Sequence, residues 1–221
     1  MKLELKQLTS FRGNVRMPFL APEAATAFII LENDTGGLIY TDMWRDPTAS
    51  LLAKRMKRVT QVPGYSLHNY GLAVDIDVKT YTNEKKIRYE DLLYLLKKRG
   101  WVCHRRDGEE DKPGSEHFNY LGPDADRYLT KCTMDPITWG YPAEMRILER
   151  FDKDFQLTAK DVQLKLAQLG LYTGIITGQF DMYTREAILA FQRAWDLIPT
   201  GSVDPSLCRV LAFVSSDRQM I

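Results

Sequence analysis

The chain has 221 residues, and its 30 Lys and Arg nearly balance its 29 Asp and Glu, so the formal net charge at pH 7 is +1. Nucleic-acid-binding proteins usually carry a basic face, so this balance argues against a nucleic-acid partner. With 44% apolar residues, the chain buries a real core and is not disordered, and its length suits one medium domain followed by a small one.

Helical and extended patterns alternate through residues 1–134, which predicts an α+β domain with a small antiparallel sheet. Helices are predicted where apolar residues recur at helical spacing, and strands where short apolar or alternating runs occur. The predicted helices cover 22–33, 48–60 and 89–99, and the predicted strands cover 38–43, 72–78, 101–104 and 117–121. In the second strand, Asp75 lies on the face opposite to Val74 and Ile76.

A connector and a second domain are predicted after this region. Residues 135–156 contain two prolines and a glycine that interrupt the pattern, and they predict a linker with one or two helical turns near 143–151. Residues 157–221 predict a small domain of three helices.

Capping signals place the three helices of the second domain. Thr158 and Asp161 form a capping box ahead of the first helix, and Thr184 opens the second. Asp204 is a typical N-cap for the third helix, because a proline follows it at the first helical position. The sequences TGQFD at 177–181 and TGSVD at 200–204 each precede a helix, which indicates a weak internal repeat.

Two of the three histidines lie in positions typical of metal ligands. His68 and Asp75 flank Gly71, whose freedom lets the chain fold back so that both side chains meet one point. His117 begins a later strand. Two histidines and an aspartate leave a fourth zinc position free for water, as in catalytic sites. The alternatives are an Asp75 that pairs with a lysine or arginine and histidines that are ordinary core or surface residues, as expected for His104.

These residues resemble a family of zinc peptidases. The motifs SLHNYGLAVD and EHFNY resemble those of zinc D-alanyl-D-alanine carboxypeptidases and L-alanyl-D-glutamate endopeptidases, which share a fold with the hedgehog signalling domain. The resemblance covers about residues 37–122. It implies a Zn²⁺ cofactor held by His68, Asp75 and His117.

The resemblance also implies two substrate-binding residues. Arg45, in the motif TDMWRDP, matches an arginine that meets a substrate carboxylate, and a guanidinium fork suits such a group. Ser66, at the start of SLHNYG, matches a residue that forms a hydrogen bond with the substrate.

The catalytic base is the point at which the sequence departs from this family. Family members carry an acidic residue three positions before the last ligand, where this chain has Gly114. Glu116, next to His117, faces the same side of a strand but is displaced by about 7 Å, and it is the expected base. Glu110 or Asp111 in the preceding loop are alternatives, and a domain without a base is another.

The C-terminal region resembles a three-helix peptidoglycan-binding domain over about residues 162–211. Core positions are expected at Leu166, Phe180, Phe191 and Trp195. Surface residues expected to contact the ligand are Tyr172, Thr173 and Tyr183.

Together, the two resemblances imply a zinc-dependent hydrolase that cuts an amide bond in the peptide stem of peptidoglycan, either as a D-Ala-D-Ala carboxypeptidase or as an L-Ala-D-Glu endopeptidase. The expected partner is peptidoglycan, without nucleic acid or membrane, and the expected state is a monomer. Because no signal peptide is found at the N-terminus, we expect export, holin-type release or virion delivery, as for a phage or prophage endolysin. The alternative is a non-catalytic wall-binding or virion structural protein that retains a structural zinc.

Overall fold

The computed structural model describes residues 2–57, 61–103, 117–123 and 147–220, and this part of the chain is an α+β protein with a helical C-terminal region. The strands are β1 (Lys2–Gln7), β2 (Arg12–Gly13), β3 (Phe19–Leu20), β4 (Ile39–Asp42), β5 (Ala73–Ile76), β6 (Trp101–Cys103), β7 (His117–Tyr120) and β8 (Asp217–Met220). The helices are α1 (Pro22–Thr35), α2 (Pro47–Arg55), α3 (Val78–Lys85), α4 (Tyr89–Lys98), α5 (Ala159–Gln168), α6 (Met182–Ala194) and α7 (Pro205–Val214), with 3₁₀ helices at Leu67–Tyr70 and Glu149–Phe155.

A five-stranded sheet carries the predicted metal ligands. Its order is β2-β4-β5-β7-β6, and all neighbours are antiparallel except β2 and β4. The predicted antiparallel sheet is therefore confirmed, with one parallel strand added at its edge. The register places Asp75 opposite His117 of β7 and opposite Asp42 of β4. Three polar residues consequently lie side by side across the centre of the sheet.

One apolar core joins the sheet to the helices beside it. Phe28 and Leu31 of α1, Leu92 of α4 and Val74 of β5 are all nearly or fully buried in the same cluster. Helix α1 begins with a proline at its first position and ends at Gly36, whose φ of 66° closes the last turn. The buried cluster fixes the sheet and thereby the positions of the ligands on β5 and β7.

Helix α3 was not predicted, because the strand pattern at 72–78 runs into it. Strand β5 ends at Ile76, and the Asp77 side chain then accepts a hydrogen bond from the backbone N–H of Thr80. Asp77 is therefore the N-cap of α3. Val78 would be buried either as the last residue of a strand or, as observed, as the first residue of α3. Apolar alternation alone therefore does not separate the strand from the helix.

Helix α2 is shorter than the predicted segment 48–60. It ends at Arg55, and Lys57 has a φ of 56°. A left-handed residue at this position stops the helix, although the apolar spacing continues.

A second sheet joins the two ends of the chain and was not predicted. Its order is β3-β1-β8, with β8 parallel to β1. Leu3 and Leu5 are buried while their neighbours in β1 are exposed, so the alternation typical of a strand is present in the sequence. The partner strand comes from the far end of the chain, which spacing does not reveal.

The three described helices of the C-terminal region have capped N-termini. Thr158 and Asp161 form the predicted capping box of α5, and Asp204 caps α7 as predicted. The predicted start of α6 at Thr184 is wrong, because Asp181 is the N-cap and accepts a hydrogen bond from the Thr184 backbone at 2.7 Å. Thr184 is the third residue inside the helix.

The weak internal repeat has a structural counterpart. A buried glutamine on the preceding helix holds each repeated loop. Gln163 accepts a hydrogen bond from the backbone N–H of Gly178 at 2.8 Å, and Gln192 accepts one from Gly201 at 2.9 Å. The two TG loops are therefore fixed in the same way.

The C-terminal region packs against the sheet domain. Tyr70 stacks on Phe151 with ring centroids 4.1 Å apart. The guanidinium of Arg209 lies over the rings of Tyr65 and Phe155, at 5.0 and 4.2 Å from their centroids. Residues 135–146 of the predicted linker lie outside the described ranges, and the boundaries 1–134, 135–156 and 157–221 stay predictions.

Within the described ranges, no helix combines the length and apolar character needed to cross a membrane.

Candidate metal centre

A capped turn holds the first predicted ligand, His68. The Ser66 hydroxyl accepts a hydrogen bond from the His68 backbone N–H at 3.4 Å, and the Asn69 side chain accepts one from the Ser66 backbone. Gly71 closes the turn with a φ of 68°, and a Cβ there would lie 2.6 Å from a backbone nitrogen of the neighbouring segment. Glycine is therefore required, and the predicted role of Gly71 in folding the chain back agrees with this geometry.

Asn69 fastens this turn to the segment that contains Arg45. Its buried side chain donates hydrogen bonds to the Arg45 carbonyl at 3.1 Å and to the Ser50 hydroxyl at 2.5 Å. The Trp44 indole donates to the Asn69 carbonyl at 3.0 Å, and the Arg45 backbone donates to the His68 carbonyl at 3.1 Å. The motifs TDMWRDP and SLHNYG thus form one structural unit, which the sequence did not reveal.

Three side-chain atoms converge at one point. Nε2 of His68 lies 3.0 Å from Oδ1 of Asp75 and 3.0 Å from Nδ1 of His117, and the last two atoms are 2.8 Å apart. These residues form a group able to hold a metal ion. The His68 side chain is fully buried, whereas those of Asp75 and His117 are 19% and 24% exposed. The cluster is therefore open to solvent on one side.

Hydrogen bonds on the far side of each imidazole direct its lone pair into the cluster. Nδ1 of His68 faces the backbone carbonyl of Met43, so this nitrogen donates, and in the neutral ring Nε2 carries the lone pair. Nε2 of His117 lies 2.9 Å from the side-chain oxygen of Asn119, so in the neutral ring Nδ1 carries the lone pair. Three lone pairs then face one another, which is repulsive unless a cation or a proton lies between them.

The donor set fits zinc. Two imidazoles and one carboxylate are ligands that zinc takes in catalytic sites, and tetrahedral coordination at about 2.1 Å separates the ligand atoms by about 3.4 Å. The observed separations of 2.8–3.0 Å need to widen by only about half an ångström to reach that geometry. Both imidazoles also have the outer hydrogen bond that metal-binding histidines usually make.

The second oxygen of Asp75 pairs with Arg45. Nη2 of Arg45 lies 3.0 Å from Oδ2 of Asp75, and its Nε lies 2.5 Å from Oδ2 of Asp42. Burial opposes the charge on Asp75, but a proton held on His68 within the cluster, with hydrogen bonds from His117 and His68, outweighs it, so the pKa of Asp75 lies well below its usual range. Asp75 is therefore a carboxylate at neutral pH, the form that binds metals.

A cleft of about 500 Å³ adjoins the cluster, because Asp75 lies on its wall. Two arginines, Arg16 and Arg45, also line it. Its apolar wall includes Leu52 and Met56, which are about half exposed. The cleft therefore combines charged walls, with Asp42 and Asp75 beside the two arginines, and an apolar wall.

The structure brings together some of the predicted site residues. His68, Asp75 and His117 meet, and Arg45 lies beside them, although bound to two carboxylates. The Ser66 hydroxyl caps the ligand turn, and its contact with a substrate stays a prediction. Glu116, Glu110, Asp111, Gly114 and His104 lie outside the described residues, so the identity of the base also stays a prediction.

Several residues of the site were missed. They are Asp42, Asn119, Arg16 and the Met43 carbonyl. Asp42 and Asn119 lie inside the motifs TDMWRDP and EHFNY, so their nearness to the predicted site residues in the sequence could have indicated a role in the site. Arg16 precedes the first predicted element, and a backbone carbonyl leaves no trace in a sequence.

Two expectations for the C-terminal region are wrong. Tyr172 is only 5% exposed, and its hydroxyl donates a hydrogen bond to the Ile175 carbonyl, so it is a core residue and not a surface contact. Phe180 is 55% exposed and not part of the core. Leu166 and Phe191 are buried as predicted. The loop that precedes α6 turns Phe180 outward, which helical spacing did not indicate.

Comparisons with known proteins identify the C-terminal region. Residues 153–211 match the family model described as "Putative peptidoglycan binding domain". The C-terminal region therefore contains a domain that matches a peptidoglycan-binding family. A segment of the chain is also similar to the N-acetylmuramoyl-L-alanine amidase CwlM of Mycobacterium tuberculosis, with 38% identity over 55 residues. That match covers 25% of this chain and 14% of the amidase, so it spans a small part of both proteins.

Proposed function

We propose that this protein is a zinc-dependent hydrolase that cleaves an amide bond in the peptide stem of peptidoglycan. The observation that carries the proposal is the convergence of three metal-binding atoms from His68, Asp75 and His117 beside an open cleft. The peptidoglycan-binding domain in the same chain supports the choice of substrate. The partial similarity to a peptidoglycan amidase supports the reaction class, a cell-wall hydrolase.

The protein's own groups prepare the metal centre. His68 and His117 present unprotonated nitrogens because the Met43 carbonyl and Asn119 bind the opposite side of each ring. Asp75 contributes a carboxylate oxygen, while Arg45 holds the other oxygen. These three residues would hold a zinc ion, which would supply a Lewis acid for activating water and polarising a carbonyl group. Glu116 is proposed to transfer the proton from water to the leaving amine.

The cleft is proposed to bind the peptide stem. Alanine side chains fit the apolar wall formed by Leu52 and Met56, and a substrate carboxylate fits the arginine side of the cleft. Arg45 is partly neutralised by its two carboxylate partners. Arg16 is exposed, and among the residues that the structure describes no carboxylate lies within ion-pair distance of it. Both a terminal D-alanine carboxylate and the D-glutamate α-carboxylate suit this arrangement. The proposal therefore keeps both cleavage sites, the D-Ala-D-Ala bond and the L-Ala-D-Glu bond.

The test is digestion of isolated peptidoglycan with and without a chelator, with the released fragments identified by mass. We expect chelator-sensitive release of D-alanine, or of new L-alanine and D-glutamate ends, and zinc should restore the activity. Release that persists in the metal-free protein would contradict zinc dependence. Binding to the wall without any cleavage would contradict the hydrolase and support the non-catalytic alternative, which Gly114 in place of an acidic residue favours.

A further inference from the structure

A second groove lies in the C-terminal domain, apart from the cleft beside the metal centre. It has a volume of about 640 Å³ and lies between the start of α6 and the second repeated loop. Its lining includes Phe180, Asp181, Met182, Arg185, Ile188 and Gly201. None of these residues lines the cleft that contains Asp75.

The groove is formed by rigid loops. Gln163 and Gln192 bind the backbone of the two TG loops, and Gln192 also donates a hydrogen bond to the Thr200 hydroxyl at 2.9 Å. Asp181 lies between Phe180 and Met182, and its side chain caps α6, which fixes the backbone of this segment. Because these loops are ordered before any ligand arrives, binding in the groove costs little conformational entropy.

The groove exposes apolar surface that the core of the domain does not use. Phe180 is 55% exposed and Met182 is 70% exposed, and the two residues flank Asp181, the N-cap of α6. Other residues of α6, Ala187 and Phe191 among them, are buried in the core of the domain and supply its packing. Exposed apolar side chains that cluster beside a concave surface are typical of a binding site.

The same groove also presents a cation. The Arg185 side chain is 60% exposed, and its nearest carboxylate among the described residues, Glu186, is 3.9 Å away. An exposed pair at this distance contributes little, so the guanidinium remains available to an anionic ligand. An aromatic ring and an arginine then lie on the walls of one preformed groove.

We propose that this groove is the peptidoglycan-binding surface of the domain. Phe180 packs against an apolar face of the polymer, and Arg185 binds a carboxylate of its peptide stem. The occupant follows from charge complementarity, because peptide stems carry carboxylates, and from the family match that includes the groove. The inference rests on the peptidoglycan-binding part of the proposed function and adds the residues and the chemical group that they recognise.

The experiment measures sedimentation of the full-length protein with isolated peptidoglycan, under conditions in which no fragments are released. We expect Phe180→Ser and Arg185→Gln each to weaken binding about tenfold, which corresponds to the loss of one good contact. Ile175→Ser and Arg193→Gln are the matched controls, because both residues are exposed in the C-terminal domain but do not line the groove. Both controls should bind as the unmodified protein does.

A second arm uses peptidoglycan strands whose carboxylates have been converted to uncharged amides. The Arg185→Gln variant should bind these strands as well as the unmodified protein does, because the carboxylates are absent. Hydrolysis of soluble muropeptides, measured for every variant, reports on the metal centre separately. Equal sedimentation of the groove variants and the unmodified protein would overturn the inference. Loss of muropeptide hydrolysis in the unmodified protein would overturn only the proposed reaction.

Discussion

Nη2 of Arg45 lies 3.0 Å from Oδ2 of Asp75, on the oxygen that does not face the two histidines. The resemblance to zinc peptidases assigned Arg45 to the substrate, but in this structure it binds a predicted metal ligand. Its Nε simultaneously binds Asp42 at 2.5 Å. Arg45 therefore orients the Asp75 carboxylate, and we expect its first effect to be on metal binding.

Arg45→Gln should weaken zinc binding by about tenfold or more, because groups that orient metal ligands have effects of this size. Competition with a chromophoric chelator measures the affinity. The matched control is Arg16→Gln, which removes the other arginine of the cleft. An unchanged zinc affinity together with a raised KM would contradict this prediction and return Arg45 to the role that the resemblance implies.

Arg16→Gln should raise KM for a soluble muropeptide by about tenfold, the value of one charged hydrogen bond, with zinc affinity unchanged. Arg16 is exposed and lines the cleft beside Asp75. Steady-state kinetics on the zinc-loaded protein provides the measurement. If the variant keeps its KM, the carboxylate of the substrate lies elsewhere in the cleft.

Zinc should raise the thermal unfolding temperature, because it binds the folded cluster of His68, Asp75 and His117. A free zinc concentration of 100 times Kd stabilises the folded state by about 2.7 kcal/mol, which corresponds to several degrees for a chain of this size. The Asp75→Asn variant should lose most of this response, and His104→Gln should keep it. Calorimetry with and without zinc distinguishes the outcomes, and an equal response in both variants would exclude the proposed ligand set.

The convergence of His68, Asp75 and His117 was predicted from side chains at recognisable spacing and from the resemblance to zinc peptidases. The helices α1 and α4 were predicted at 22–33 and 89–99. Contacts made across the sheet were not predictable, since the register that places Asp42 beside Asp75 depends on pairing between distant segments. The pairing of β1 with β8 was missed for the same reason.

Glu116→Gln should abolish cleavage of peptidoglycan and leave zinc affinity unchanged, because an amide does not transfer a proton but occupies the same volume. Fragment release and zinc titration are measured on the same preparation. Glu110→Gln and Asp111→Asn are the comparison variants. If one of these loses activity while Glu116→Gln retains it, the base belongs to the preceding loop.

Gln192→Leu should destabilise the C-terminal domain by about 1 kcal/mol, because it leaves the partly buried backbone N–H of Gly201 without its Gln192 partner while keeping a similar side-chain volume. Gln163→Leu should behave alike, since Gln163 holds Gly178 in the other repeated loop. The exposed Gln168 on α5 offers a control, Gln168→Leu, that should leave stability unchanged. Urea unfolding, followed by the circular dichroism of the helices, measures the midpoints of unfolding.

The same two variants also test the groove, because Gly201 lines it. Gln192→Leu should weaken sedimentation with peptidoglycan more than Gln163→Leu does. Equal binding by both variants would show that the Gly201 loop is not part of the binding surface.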